Sequence, residues 1–194
     1  MWSGTRQAQT TESLKKERIV NKFIKTVAFA ANKHRNQRRK DAGTSPYINH
    51  PISLADVLAN EGGVTDEDVL VAAILHDTIE DTETTEAELV HEFGQHIASI
   101  VLEVTDDRSL PKAERKRLQV EHALAISDSA KLVKLADKIC NLRDILSSPP
   151  ADWTSERKAE YFEWAKTVVE GMRGVSPVLE RIFDEVYSIK PITV

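Results

Sequence analysis

The sequence predicts an all-α fold: a single-domain helical bundle of about nine or ten helices. Helical spacing of apolar residues dominates from Leu14 onward, and no sustained apolar–polar alternation marks a strand. Only seven Gly and seven Pro leave little room for long irregular segments. At 194 residues, the length fits one domain.

Residues 1–13 are polar and are expected to form a flexible extension ahead of a domain at 14–190. The first helix is expected from Leu14 to His34, with Ile19, Phe23, Ile24, Val27, Ala28 and Ala31 on one stripe. HRNQRRKDAGTSPYINHP (34–51) reads as helix end and loop, and Pro51 can open the next helix at its first turn. The proline also biases His50 away from helical geometry, so that its ring projects at the helix start. That helix stops at Gly62-Gly63. Thr65 and Asp68 read as a capping box before the run VLVAAILHDTIED, and Thr85 and Glu88 as another before a short helix to Phe93. Gly94 separates it from QHIASIVLEVT. Leu110-Pro111 opens the charged helix KAERKRLQVEHALAI. Residues 129–146 form the next, with Leu132, Leu135, Ile139, Leu142 and Leu146 as its stripe. Pro149-Pro150 breaks the chain before two last helices at 155–173 and 177–189.

Composition narrows the function classes. Hydrophobic residues at 41% and charged residues at 29% are an ordinary globular balance. A net charge of −5 gives no global basic field for nucleic acid or an anionic membrane. No apolar run approaches the ~18 residues of a membrane span. The N-terminus lacks the apolar core of a secretory signal. The single cysteine, Cys140, excludes an intramolecular disulfide and suits a reducing compartment. A cytoplasmic protein with no membrane or nucleic-acid partner is expected, and the oligomeric state is left open.

The chemistry concentrates in ILHDTIED (74–81). On a continuous helix at about 100° per residue, with His76 at the origin, Asp77 falls at about 100°, Glu80 at about 40° and Asp81 at about 140°. Apolar neighbours surround the helix, as in a core helix. Three carboxylates in such a place need a cation among them. Further ligands are available at His50 in PYINHP and at Asp137 in LADKICN, with Asn141 one turn along. Two imidazoles and two carboxylates make a mixed N/O set suited to Mn²⁺, Fe²⁺, Co²⁺ or Zn²⁺.

His50, His76-Asp77 and Asp137, in that order, resemble the motif of the HD-domain phosphohydrolases. RRKDAGTSPYINHP, AAILHDTIEDT, VTDDRSLPKAERKRLQ and AKLVKLADKICNLRDI are similar to the small, stand-alone SpoT-type alarmone hydrolases of metazoa. The similarity spans Phe29 to Gly174. It implies an HD-domain helical bundle and Mn²⁺-dependent hydrolysis of guanosine tetra- and pentaphosphate, (p)ppGpp, at the 3′ position, giving GDP or GTP and pyrophosphate. It further implies one Mn²⁺ per chain held by His50, His76, Asp77 and Asp137, with other divalent transition metals as substitutes. Glu80 and Asp81 would position or deprotonate the attacking water. Arg39 and Lys40 would meet the base and phosphates, and Asn141 and Tyr161 the ribose and 5′ side.

Physical chemistry agrees with those roles. A divalent ion lowers the pKa of its water towards ~7, and a carboxylate one turn from His76 can serve as general base. The basic runs KHRNQRRK (33–40) and KAERKR (112–117) would steer an anionic substrate if both flank the site. Two other readings stand beside this one: a phosphatase on another ribose-phosphorylated nucleotide, such as the 2′-phosphate of NADPH, and a non-catalytic nucleotide- or RNA-binding module. Intact metal-binding and acidic sets favour an enzyme. His34, His91, His96 and His122 read as surface or packing histidines, Asp106-Asp107 as a capping turn, and Cys140 as buried filler.

Overall fold

The computed structural model describes residues 4–191, and among them every named element is helical, as expected. Helix α1, Gly4–Lys33, begins well ahead of Leu14, inside the segment read as an extension; residues 1–3 lie outside the described part. Its fully buried positions are Thr26 and Ala30, continued just past its end by His34; Phe23 and Val27 of the expected stripe pack half-buried against the core, while Ile24 is 63% exposed. The small side chains of Thr26 and Ala30 let α1 lie close to the central helix. Charge pairs finish the seam: Lys22 to Asp68 at 2.6 Å and Lys33 to Glu88 at 2.7 Å.

Helix α2 spans Asn49–Asp56 and continues as a π-helical stretch, Val57–Glu61, before Gly62 ends it. A Cβ on Gly62 would stand 2.6 Å from Leu179, so the close approach of the last helix requires glycine there. Helix α3, Glu67–Leu75, is the core of the molecule, with every residue from Val69 to Leu75 buried. Its N-cap is Asp66, which accepts from the Asp68 and Val69 amides, and not Thr65 as the sequence suggests. A single-turn α4, Thr78–Asp81, follows. Thr85 caps α5, Glu86–Phe93, as expected, and Gly94 at φ 92° links it to α6, Gln95–Val104. That left-handed angle strains any side chain but glycine's.

Helix α7, Lys112–His122, buries no residue fully and rests on α9, Ser155–Glu170, where Trp164 Nε1 donates to the Lys116 carbonyl at 3.1 Å. Helix α8, Asp128–Ser147, crosses the bundle and touches α2, α3, α6, α9 and α10, Pro177–Ser188. It buries Leu135, Ile139 and Leu142 of the expected stripe, but Leu146 lies at the surface. Two lysines on it, Lys134 and Lys138, are buried, and that points to the site. Among the described residues no helix is long and apolar enough to cross a membrane.

Candidate active site

The apolar run does not continue as one helix through ILHDTIED. α3 stops at Leu75, and Asp77 leaves helical geometry at φ −99°, ψ 1°. The end is closed locally: His76 Nδ1 donates to the Ala73 carbonyl at 2.8 Å and Thr78 Oγ1 to that of Leu75 at 2.7 Å. The break corrects the single-wheel picture. His76 and Asp77 occupy a turn, and Glu80 and Asp81 reach the site from the separate turn α4.

His50, expected outside helical geometry, is instead helical, in the first turn of α2, with Pro51 behind it. The His50 amide bonds the Tyr47 carbonyl at 3.0 Å, so the PYINHP turn winds directly into the helix. Proline is tolerated there because first-turn amides have no acceptor inside the helix.

These two points and the middle of α8 bring four side chains together. One donor atom each of His50, His76 and Asp137 lies within 4.8 Å of the others. His50 Nε2 is 3.2 Å from Asp137 Oδ1, and His76 Nε2 is 2.9 Å from Asp77 Oδ2. The set fits a divalent cation. The Ala73 bond holds a proton on His76 Nδ1 and leaves the buried Nε2, 2.9 Å from Asp77, as the atom that would meet a metal once its own proton is displaced. Outer contacts orient the carboxylates: Tyr47 Oη donates to Asp77, and Asn141 Nδ2 donates to Asp137 Oδ1 at 2.6 Å.

Charge follows from this packing. Burial pushes the His50 imidazole down. Burial also opposes charge on His76, but the adjoining Asp77 carboxylate outweighs it and lifts the ring to about 9. Burial alone would raise Asp137; Lys138, 2.9 Å away, and the two imidazoles hold it well below the carboxylate range.

Glu80 and Asp81 diverge. Burial raises the Glu80 carboxyl, while the Asp106 amide donates to Oε2 at 3.1 Å and partly offsets the rise. Arg108 and Arg115 approach it at 3.5 Å. Asp81 is held by Gln37 Nε2 at 2.5 Å and by the Arg108 guanidinium. Asp106 is thus more than the capping residue expected from sequence; Asp107, whose carboxylate accepts the Ser109 amide, does make the turn.

A cleft of ≈ 500 Å³ opens beside these groups and is lined by Arg39, Lys40, Asn141 and Tyr161 of the expected contacts. Arg39 lies 5.7 Å from the Tyr47 ring and pairs with Asp144 at 2.5 Å and Asn141 at 3.3 Å. The Tyr161 ring meets Trp153 at a tilt and Trp164 edge-on, and burial pushes its phenol up to about 12. The two basic runs reach the site unequally: Arg38, Arg39 and Lys40 line the cleft, whereas from KAERKR it is Arg115 that approaches Glu80 at 3.5 Å. Sequence reasoning missed Gln37, Tyr47, Arg108, Lys138, Asp144 and Trp153. The one available signal was the spacing of Lys134 and Lys138, one turn apart on either side of Asp137.

The chain is similar to known proteins in sequence and in fold. A family model described as an HD domain matches residues 26–162. Guanosine-3′,5′-bis(diphosphate) 3′-pyrophosphohydrolase of Xenopus tropicalis is 53% identical over 172 residues, which cover 89% of this chain and 96% of that protein. The protein of the same name in Homo sapiens is 51% identical with the same coverage. A solved structure, described as a metazoan orthologue of SpoT that hydrolyses ppGpp and plays a role in starvation responses, superposes with a TM-score of 0.84. It is 49% identical, and the match covers 86% of this chain and 94% of the other.

Proposed function

The chain belongs to the HD-domain family, and we propose that it is a metal-dependent (p)ppGpp 3′-pyrophosphohydrolase. The observation that carries the reading is the convergence of His50, His76, Asp77 and Asp137 beside Glu80, in a chain half-identical to hydrolases of that name along nearly its whole length. Those four residues would hold a divalent ion; the mixed imidazole–carboxylate set suits Mn²⁺, Fe²⁺, Co²⁺ or Zn²⁺ alike, and among these Mn²⁺ is the one that the resemblance to the alarmone hydrolases implies. When bound, a divalent ion polarises the phosphoryl oxygen and makes its water a nucleophile at neutral pH.

The chain's own groups do the rest. Glu80, raised by burial and steadied by the Asp106 amide, accepts the proton of the attacking water. Asp81 keeps Arg108 and Gln37 in place around it. Water adds to the phosphorus next to the ribose, the P–O3′ bond breaks, and the 3′-oxygen departs with a proton as GDP or GTP. Pyrophosphate is the other product. Arg39 offers its guanidinium plane to the base after exchanging Asp144 for substrate. Lys40 neutralises phosphate charge, while Asn141 and Tyr161 bound the ribose side. A cytoplasmic location accompanies a soluble nucleotide substrate and a free, buried Cys140.

The test is incubation of the purified protein with Mn²⁺ and ppGpp, following GDP and pyrophosphate. Pyrophosphate release abolished by chelation and by Asp77→Ala is expected. A folded, metal-loaded protein that leaves ppGpp intact, or releases only orthophosphate from NADPH, would overturn the reading.

A further inference from the structure

Two smaller cavities, each of ≈ 190 Å³, lie beyond the cleft, and the first of them is lined by His76, Asp77 and Asp137. The first shares Asp77, Glu80, Asn141 and Tyr161 with the cleft, and Lys134, Asp106 and Gln119 with the second. The second shares no lining residue with the cleft. The three spaces therefore follow one another along α8. Ser148, just past its end, lines the cleft, Asp137 lines the middle space, and Lys134 the rear. At 1.5 Å per residue, that path is about 20 Å long.

The rear spaces are built to hold water. Gln119 Nε2 donates to Asp106 at 2.6 Å, while Gln119 Oε1 and Arg115 Nε are buried with no hydrogen-bond partner among the described residues. Lys134 Nζ is anchored on the Val104 carbonyl at 3.1 Å. The first space is lined mainly by polar atoms and accommodates several waters at about 30 Å³ each, whereas the second is more apolar and offers water chiefly its unpartnered Gln119 and Arg115 atoms. The chemistry also requires water there. In-line displacement puts attacking and departing oxygens on opposite sides of phosphorus. If the nucleoside fills the cleft, its 3′-oxygen leaves towards the cleft, and the nucleophile must approach from the rear.

We propose that this rear passage, with Gln119 at its neck, supplies and holds the water that Glu80 deprotonates. The proposal rests on the function given above. It is tested by Gln119→Met, which removes the polar neck at nearly constant volume, and Leu118→Trp, which fills the second space. Single-turnover formation of GDP from ppGpp with Mn²⁺ is measured beside KM, bound metal per chain and thermal midpoint. The single-turnover rate should fall about tenfold or more, as misplaced nucleophiles do, with KM and metal content unchanged. Ser148→Trp, in the cleft, should instead raise KM. Folded, metal-loaded variants with the parent's single-turnover rate would overturn the passage. So would a slow steady state with normal single turnover, which would make the passage a product exit. An inactive parent protein would sink the function itself, and the passage with it. Gln119→Met keeps the test open should Leu118→Trp fail to fold.

Discussion

At the scale of single residues, the site divides between groups that would touch metal and groups that orient them. Tyr47 belongs to the second kind, because its hydroxyl bonds the Asp77 carboxylate while its ring faces Arg39. Tyr47→Phe should keep the fold and weaken metal affinity about 10–100-fold, the usual result of losing an outer-shell contact; metal titration by calorimetry would read it, and unaltered affinity would remove Tyr47 from this role. Glu80→Gln should do the opposite, retaining metal but lowering kcat by roughly 10²–10⁴-fold. Only ionised Glu80 accepts a proton, and burial raises its pKa. The parent's activity should therefore be lost as pH falls through a value above the ordinary ~4.3, and that limb should be missing from the residual activity of Glu80→Gln.

At the scale of elements, much was legible because amphipathic spacing and caps are local. Thr85 caps its helix and Gly94 ends it as the sequence implies. What was not legible depends on contacts distant in sequence. Nothing in VLVAAILHDTIED announces that α3 ends at Leu75, since the break is closed by His76 and Thr78 bonding back to Ala73 and Leu75. Ile24 reads as core yet is exposed, while Thr26 and Ala30 turn fully inward beside the half-buried Phe23 and Val27 of the expected stripe. The cap of α3 is testable for the same reason. Asp66 serves two amides at the start of the helix whose far end delivers His76. Asp66→Ala should cost about 0.5–2 kcal/mol, seen as a lower denaturation midpoint with an unchanged slope. Thr65→Ala should cost less; the reverse ranking would restore the sequence's choice of cap.

At the scale of the whole molecule, a chain of net charge −5 lines its cleft with Arg38, Arg39, Lys40 and Arg108, and places the four side chains proposed to hold metal on α2, the α3–α4 turn and α8. The order of these residues was visible in the sequence; the burial of Lys134 and Lys138 was not, because only the packed bundle shows which face of α8 turns inward. Metal and folding must then be linked through protons. In the metal-free protein the imidazole of His76 is raised to about 9 by Asp77. That contribution to stability is fully present below the unfolded value of ~6.5 and is lost as pH rises towards 9. A divalent ion needs the same nitrogen unprotonated, so metal must displace this proton at neutral pH, and affinity should rise with pH until His76 has titrated. The metal-free protein should thus lose stability over the interval in which the metal-bound form gains binding energy. Thermal midpoints measured with Mn²⁺ and with chelator should diverge between pH 6.5 and 9, and proton release on metal addition should shrink over the same range. Midpoints that stay parallel across that interval would mean that His76 carries no proton for the metal to displace.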